Sequence, residues 1–180
     1  MIEPWNQHVT FYLSVLKMTK TINELSKQLG VLLKQSNMRC ATAESCTGGG
    51  LSAAITAIPG ASAWFECGFV TYSNQSKADL LGVPHEILET EGAVSESCAM
   101  AMAIGAIQHS HADLSVAVTG IAGPDGGRIE KPVGTVWIAW ANKNNVKTAT
   151  HYVFQGTREE IRTACIKAAL SGLIEFAFIG

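Results

Sequence analysis

The sequence contains little charge and no long run of apolar residues. Charged residues make up 16% of the 180 residues, and 13 Lys and Arg against 15 Asp and Glu give a formal net charge of −2. Because Lys and Arg form no cluster, the sequence lacks the basic surface typical of proteins that bind nucleic acid. No apolar stretch is long enough to cross a bilayer. These absences argue against both nucleic-acid partners and membrane partners.

Several short chemical signatures are also missing. The five cysteines include no CxxC pair and the five histidines include no HExxH pair, so the sequence predicts no metal site, and we expect no cofactor. The cysteines fall in apolar segments, which is typical of buried thiols in a reducing compartment. Residues 9–16 are apolar, but no basic residue precedes them and no cleavage site follows, which argues against a signal peptide. We therefore expect a cytoplasmic protein.

Helical periodicity and β-forming runs alternate along most of the chain. Capping boxes at residues 21–24 and 157–160 predict the starts of the first and last helices. Further helices are predicted over residues 48–58, 73–81, 84–90 and 96–109. Strands are predicted over residues 39–43, 68–72, 114–118, 134–142 and 148–154, the last two joined by a polar turn. This order predicts an α/β protein, a single three-layer α/β/α domain with a mixed sheet. Residues 1–18 show no clear period, so we expect an N-terminal extension there and the organised domain over residues 19–180.

The stretch "AESCTGGG", residues 43–50, joins a predicted buried strand to a predicted helix. Glycines at a helix start leave backbone N–H groups open to a ligand, and the helix dipole adds positive potential. This junction therefore suits an anion or the oxyanion of an acyl-transfer intermediate, with Ser45 as the candidate nucleophile. The structural alternative is that Ser45 or Thr47 caps the helix and the glycines allow close packing. A P-loop is disfavoured because no lysine follows the glycines.

Cys46 is a second possible nucleophile in this stretch. A thiol at a helix N-terminus can have a lowered pKa and react readily. No histidine lies in the predicted strand-end loops to act as its base. We therefore favour Ser45 as the nucleophile and interpret Cys46 as a packed neighbour.

Two other strand ends carry polar candidates. Tyr72 ends a predicted strand, and Lys77 follows in the first turns of the next helix, where a desolvated amine could take the proton of a serine. The alternative is a strand-end aromatic residue and a solvated lysine. A glycine loop at residues 119–127 lies where α/β sheets bind ligands, although it could also be a plain connector. Arg158 could pair with a phosphate, or be an exposed arginine at a helix start.

Six motifs together resemble the CinA C-terminal domain family over roughly residues 20–178. They are "TAESCTGG", "GFVTYSNQSKADLLGV", "GAVSE", "VTGIAGPDGG", "KPVGTVW" and "TREEIR", in that order. The characterised enzymes of that family are nicotinamide-nucleotide amidases. The resemblance implies hydrolysis of nicotinamide mononucleotide to nicotinate mononucleotide and ammonia, within pyridine-nucleotide salvage. It also implies an α/β/α fold, no metal and a homo-oligomer, a dimer or larger.

The resemblance also implies a set of site residues. Ser45, Tyr72 and Lys77 are the expected catalytic residues, with Lys77 accepting the hydroxyl proton and Tyr72 relaying or orienting it. Backbone N–H groups near residues 47–49 are expected to stabilise the oxyanion. Glu44 is expected either to balance the pyridinium charge or to be a structural acceptor. The expected substrate-binding residues are Glu44, Thr47, Gly48, Gly49, Thr119, Gly120, Ile121, Ala122, Gly123 and Arg158. Two alternatives stay open: a nucleotide-binding regulatory module without turnover, and an amidase for another carboxamide.

Overall fold

The computed structural model describes residues 20–145 and 147–178, so the extension predicted at residues 1–18 lies outside the described residues. Six helices and five strands make up the described chain, with a short 3₁₀ turn at Ala61–Ala63. In chain order they are α1 (Ile22–Gln35), β1 (Cys40–Glu44), α2 (Gly50–Thr56), β2 (Phe65–Val70), α3 (Asn74–Leu81), α4 (His85–Thr90), α5 (Glu96–Gln108), β3 (Leu114–Gly120), β4 (Thr135–Asn142), β5 (Lys147–Val153) and α6 (Arg158–Phe176).

The strands form one mixed sheet in the order β2-β1-β3-β4-β5. Strand β1 runs parallel to both β2 and β3, whereas β4 is antiparallel to β3 and to β5. One core cluster joins the sheet to α1, α2 and α6, and a second joins its other face to α3, α4 and α5. The predicted three-layer α/β/α domain with a mixed sheet is therefore confirmed.

The two faces of the sheet differ in side-chain size. The face toward α1, α2 and α6 carries large residues such as Val116, Ile138 and Trp140. The opposite face carries mainly alanines in its central strands, which lets α5 approach the sheet closely. Gly105 of α5 is so close to α3 that a Cβ atom there would collide with the backbone carbonyl of Leu81. Helix α3 is thus held directly against α5.

Local sequence signals explain where most helices begin. Thr21 and Glu24 form the first capping box and Thr157 and Glu160 the second, both as predicted. The helix predicted over residues 48–58 is shorter, because Gly48 and Gly49 have φ angles of 58° and 89°. Such left-handed residues cannot continue an α-helix, so α2 begins only at Gly50.

The parallel strands end together at one edge of the sheet. Glu44, the last residue of β1, is paired in register with Val70 of β2 and Val118 of β3. The segments that follow, residues 45–49, 71–73 and 121–134, therefore start from the same edge. In α/β sheets this carboxyl edge is where ligands bind. Within the part of the chain described here, no helix combines the length and the apolar character that crossing a bilayer requires.

Candidate active site

Ser45 and Lys77 meet at the carboxyl edge of the sheet. The Lys77 Nζ atom lies 3.0 Å from the Ser45 Oγ atom. Both residues are buried, Ser45 with 8% and Lys77 with 1% of its surface exposed. Ser73 caps α3 by accepting a hydrogen bond from the backbone N–H of Ser76, which places Lys77 in the first turns of that helix. The two predicted partners are thus in direct contact, although they stand 32 residues apart in the chain.

Three oxygen atoms surround the amine of Lys77. Besides Ser45 Oγ, the amine contacts the backbone carbonyls of Thr71 at 2.9 Å and Tyr72 at 3.3 Å. A neutral amine has two N–H donors for the two carbonyls and one lone pair, which then faces the Ser45 hydroxyl. Burial lowers the pKa of Lys77, while the neighbouring thiols of Cys98 and Cys46 act in the opposite direction. This arrangement suits a general base for a serine nucleophile.

The phenol of Tyr72 points away from this pair. The tyrosine is 63% exposed, and its hydroxyl accepts a hydrogen bond from the Arg158 guanidinium at 3.3 Å. Within the described chain, no hydrogen bond joins the phenol to Ser45 or Lys77. The predicted proton relay through Tyr72 therefore has no connection to support it. Tyr72 contacts the amine through its backbone carbonyl instead.

Glu44 takes the second of its two expected roles, that of a structural acceptor. It is fully buried, and its carboxyl oxygens accept hydrogen bonds from the backbone N–H groups of Leu51 at 3.0 Å and Ser52 at 2.8 Å. The Ser52 hydroxyl donates a third bond at 2.6 Å. The first turn of α2 is thus capped by Glu44, so the predicted capping by Ser45 or Thr47 is wrong. The N–H groups of Leu51 and Ser52 are thus already paired and not open to an anion, and Glu44 is a structural acceptor.

Three other backbone N–H groups of the nucleophile loop, residues 45–49, remain available. The N–H groups of Gly48 and Gly50 donate to the carbonyls of Ser45 and Thr47, both at 3.1 Å. Those of Cys46, Thr47 and Gly49 donate to no atom among the described residues. They are therefore the candidates for oxyanion donors, which agrees with the predicted region except at Gly48.

The glycine loop after β3 lies beside Arg158. The Arg158 guanidinium donates to the carbonyl of Gly123 at 2.7 Å, so one side chain connects this loop to Tyr72. The N–H groups of Ala122 and Gly123 have no acceptor within the described chain. Thr119 is turned toward the interior, and its hydroxyl donates to the carbonyl of Ala93 at 2.7 Å. Its side chain thus holds the loop in place rather than facing a ligand.

Arg162 is a site residue that sequence reasoning missed. It lies one turn after Arg158 in α6 and donates to the Thr47 carbonyl at 2.7 Å. The available signal was the spacing of two arginines four residues apart in "TREEIR", which places both side chains on one helix face. The sequence does not indicate that this face covers the nucleophile loop.

The comparison with known proteins identifies the family. A sequence profile described as the CinA C-terminal domain matches residues 22–177. The chain belongs to the CinA C-terminal domain family. Its curated relatives include the nicotinamide-nucleotide amidohydrolase PncC of Pseudomonas putida, 49% identical over 154 residues, which cover 86% of this chain and 96% of the relative. The protein of the same name from Escherichia coli K12 is 49% identical over 150 residues, covering 83% and 91% of the two chains.

Solved structures of CinA proteins share the fold. The crystal structure of the competence/damage-inducible protein CihA from Agrobacterium tumefaciens superimposes with a TM-score of 0.84 at 45% identity, covering 86% of this chain and 94% of that one. A CinA superfamily protein from Klebsiella pneumoniae 700603 gives a TM-score of 0.85 at 34% identity, covering 89% and 100%. The α/β/α architecture of this CinA domain is thus the architecture of those relatives.

The cysteines of this CinA domain are free, and four of the five are buried. Cys46 packs in the core beside Cys165, and a hydrogen bond with Cys165 lowers the pKa of the Cys46 thiol although burial opposes it. This position agrees with the predicted role of a packed neighbour. Within the described ranges, no group of three His, Cys, Asp or Glu side chains could hold a metal ion.

Proposed function

We propose that this CinA domain hydrolyses nicotinamide mononucleotide to nicotinate mononucleotide and ammonia. The observation that carries the proposal is the 3.0 Å contact between Ser45 Oγ and Lys77 Nζ in a buried site beside unpaired backbone N–H groups. Two curated relatives at 49% identity bear the name nicotinamide-nucleotide amidohydrolase, which supports this substrate. The reaction belongs to pyridine-nucleotide salvage and needs no nucleic acid and no cofactor. A homo-oligomer and a cytoplasmic location stay predictions.

The first half of the reaction transfers one proton and forms one bond. Lys77, whose pKa is lowered by burial, accepts the proton of the Ser45 hydroxyl when it is in its neutral form, and Ser45 Oγ attacks the carboxamide carbon. The carbonyl oxygen becomes an oxyanion, which the N–H groups of Cys46 and Thr47 stabilise. The positive charge of the pyridinium ring makes the carboxamide carbon more electrophilic, so no strong acid is needed.

The second half returns the proton and releases both products. Protonated Lys77 gives its proton to the amide nitrogen, and the carbon–nitrogen bond breaks to release ammonia. A water molecule then attacks the remaining ester on Ser45 while Lys77 accepts one of its protons. When this ester breaks, Lys77 returns that proton to Ser45 Oγ, and nicotinate mononucleotide leaves. Water is thus the only co-reactant.

The substrate phosphate is assigned to the loop after β3. The free N–H groups of Ala122 and Gly123 and the guanidinium of Arg158 lie together there, and phosphate accepts hydrogen bonds from both kinds of donor. The exposed ring of Tyr72, next to Arg158, is then available to the pyridinium ring, which carries the positive charge that aromatic faces attract.

The direct test is ammonia release from nicotinamide mononucleotide by the purified protein. We expect turnover by the wild type, with Ser45→Ala and Lys77→Ala each reducing kcat by about 10³-fold or more, because each removes a group that takes part in bond formation. Mass spectrometry should identify nicotinate mononucleotide as the second product. Full activity in Ser45→Ala would rule out the serine mechanism.

Cys46→Ala is the matched control for the nucleophile. It removes a thiol next to Ser45, and we expect kcat to stay within about threefold of the wild type, as for a packed neighbour. Substitution is a sharper test than alkylation because Cys46 is buried. Tight nucleotide binding without ammonia release would favour the regulatory module, and faster turnover of another carboxamide would favour a different amidase.

A further inference from the structure

We propose that Arg162 is a positioning residue that holds the nucleophile loop in its reactive shape, so that the free N–H groups of Cys46 and Thr47 face the reacting carbonyl. The inference rests on the proposed function, since it concerns the same hydrolysis. Arg162 is separated from Thr47 by 115 residues in the chain, yet it donates to the Thr47 carbonyl at 2.7 Å.

The contact fixes the peptide group between Thr47 and Gly48. Its carbonyl accepts hydrogen bonds from the Arg162 guanidinium at 2.7 Å and from the N–H of Gly50 at 3.1 Å. Its N–H group donates to the carbonyl of Ser45 at 3.1 Å. Because a peptide group is planar, bonds at both ends determine its orientation. The preceding peptide groups, which carry the N–H groups of Cys46 and Thr47, are thereby held between this plane and β1.

Few other side-chain contacts fix the backbone of residues 47–49. Gly48 and Gly49 adopt positive φ angles, which glycine tolerates because it has no side chain. The same lack of a side chain leaves the backbone of these two residues more flexible than that of any other residue type. The Thr47 hydroxyl is buried and makes no hydrogen bond within the described chain. Arg162, in contrast, projects from the 19-residue helix α6, and its neighbours Ile161 and Cys165 are in the core. Arg162 therefore ties residues 47–49 to a rigid element, in addition to the contacts of Ser45 with Lys77 and of Cys46 with Cys165.

The charge of Arg162 adds to its effect on geometry. The ion pairs recorded within the described chain join Arg39 to Glu66 and Lys143 to Asp113, and Arg162 takes part in neither. Its Nε atom is buried and has no partner among the described residues. A half-buried guanidinium that forms no ion pair within the described chain leaves positive potential at the loop where the oxyanion forms, and partial burial weakens the screening of that charge by solvent.

The test compares kcat and KM for nicotinamide mononucleotide in three variants. Arg162→Met should reduce kcat by about 10²-fold, the effect of losing an oxyanion donor, while KM stays within about twofold. The kcat of Arg162→Lys should lie between that of Arg162→Met and that of the wild type, since an ammonium group keeps the charge but cannot reproduce the guanidinium geometry. Guanidinium chloride, well below denaturing concentration, should restore part of the kcat of Arg162→Ala.

The matched control is Lys167→Met, which removes a positive charge from a different face of the same helix and should keep the wild-type kcat. Thermal unfolding of every variant shows whether Arg162→Met is folded at the assay temperature. A wild-type kcat in folded Arg162→Met would overturn the inference. A raised KM with unchanged kcat would also overturn it, because Arg162 would then bind substrate.

A second measurement separates this inference from the proposed function. A fluorophosphonate probe attacks the serine hydroxyl directly and forms an oxyanion-like adduct, so its reaction with Ser45 does not depend on the natural substrate. We expect labelling of the wild type and about 10-fold or slower labelling of Arg162→Met. If the wild type releases no ammonia but is labelled faster than Arg162→Met, the proposed function fails while the inference stands. If the labelling rates are equal, the inference fails.

Discussion

At the scale of single residues, the site depends on two buried ionisable side chains, Glu44 and Lys77. Both stand at the carboxyl edge of the sheet; Lys77 was the expected base, and for Glu44 a role toward the substrate and a structural role were both left open. The structure gives the two side chains different roles, because the Glu44 carboxyl group accepts three hydrogen bonds from α2, whereas the Lys77 amine faces Ser45. Spacing alone could not predict this difference, since it depends on where the first turn of α2 lies relative to β1.

The pH dependence of turnover should report the protonation of Lys77. Only the neutral amine can accept the Ser45 proton, so activity is lost as the pH falls through the pKa of Lys77 and regained as it rises. Burial lowers this pKa, so we expect kcat/KM to rise with pH to a plateau, with an inflection below the ordinary lysine value of 10.5. The measurement is kcat/KM for nicotinamide mononucleotide across the range in which the protein stays folded.

Lys77→Arg is the control for this profile. A guanidinium stays protonated throughout that range, so the variant should be inactive at every pH. A wild-type profile that is independent of pH would contradict the assignment of Lys77 as the base.

At the scale of elements, the start of a helix was predictable where the side chain that caps it lies directly before the helix in the sequence. The capping boxes at Thr21 and Thr157 are local signals, and the structure confirms both. The helix predicted from residue 73 begins at Asn74, where Ser73 supplies a cap that was not predicted. The start of α2 was predicted too early because its cap comes from Glu44, six residues before Gly50, across a loop with left-handed glycines. A cap that is not local leaves no local pattern in the sequence.

The contact between α3 and α5 should affect activity as well as stability. In Gly105→Ala, the new methyl group collides with the Leu81 carbonyl and pushes away α3, which carries Lys77. We expect the free energy of unfolding to fall by about 1–3 kcal/mol, as for overpacked sites, and kcat to fall about 10-fold. Denaturant unfolding and ammonia release measure the two effects.

Gly30→Ala is the matched control for this contact. Its methyl group would lie 2.8 Å from the Trp64 ring, in the layer on the other face of the sheet. We expect a similar loss of stability, with kcat unchanged when both variants are assayed fully folded. Equal losses of kcat in the two variants would show that overpacking acts generally and not through α3.

At the scale of the whole molecule, the mixed sheet and its three layers could be predicted because element order and hydrophobic pattern determine them. The pairing of Ser45 with Lys77 could be anticipated for the same reason, since both lie near the ends of parallel strands. The contact of Arg162 with Thr47 could not be predicted, because it depends on how α6 packs on the sheet, at a sequence separation of 115 residues from Thr47.

The burial of the thiols gives a test of the whole fold. Cys67 is partly exposed, whereas the other four cysteines are buried, and burial raises the pKa of Cys40 to about 12 and that of Cys98 to about 11. A thiol reagent such as Ellman's should therefore react first with Cys67 of the native protein and with all five cysteines in denaturant, because the reagent must reach the sulfur atom before it can react. Cys67→Ser should abolish the rapid phase. Rapid reaction of two or more thiols in the native protein would contradict the described packing.

The contact between α6 and the nucleophile loop also bears on protein synthesis. The nucleophile loop, residues 45–49, is translated before α6, which spans Arg158–Phe176. A nascent chain that extends through β1, β2 and α3 already contains Ser45 and Lys77, but Arg162, which contacts the loop, has not yet been added. Catalytic competence would then arise only after α6 has been translated, and a chain that terminates before α6 would lack it.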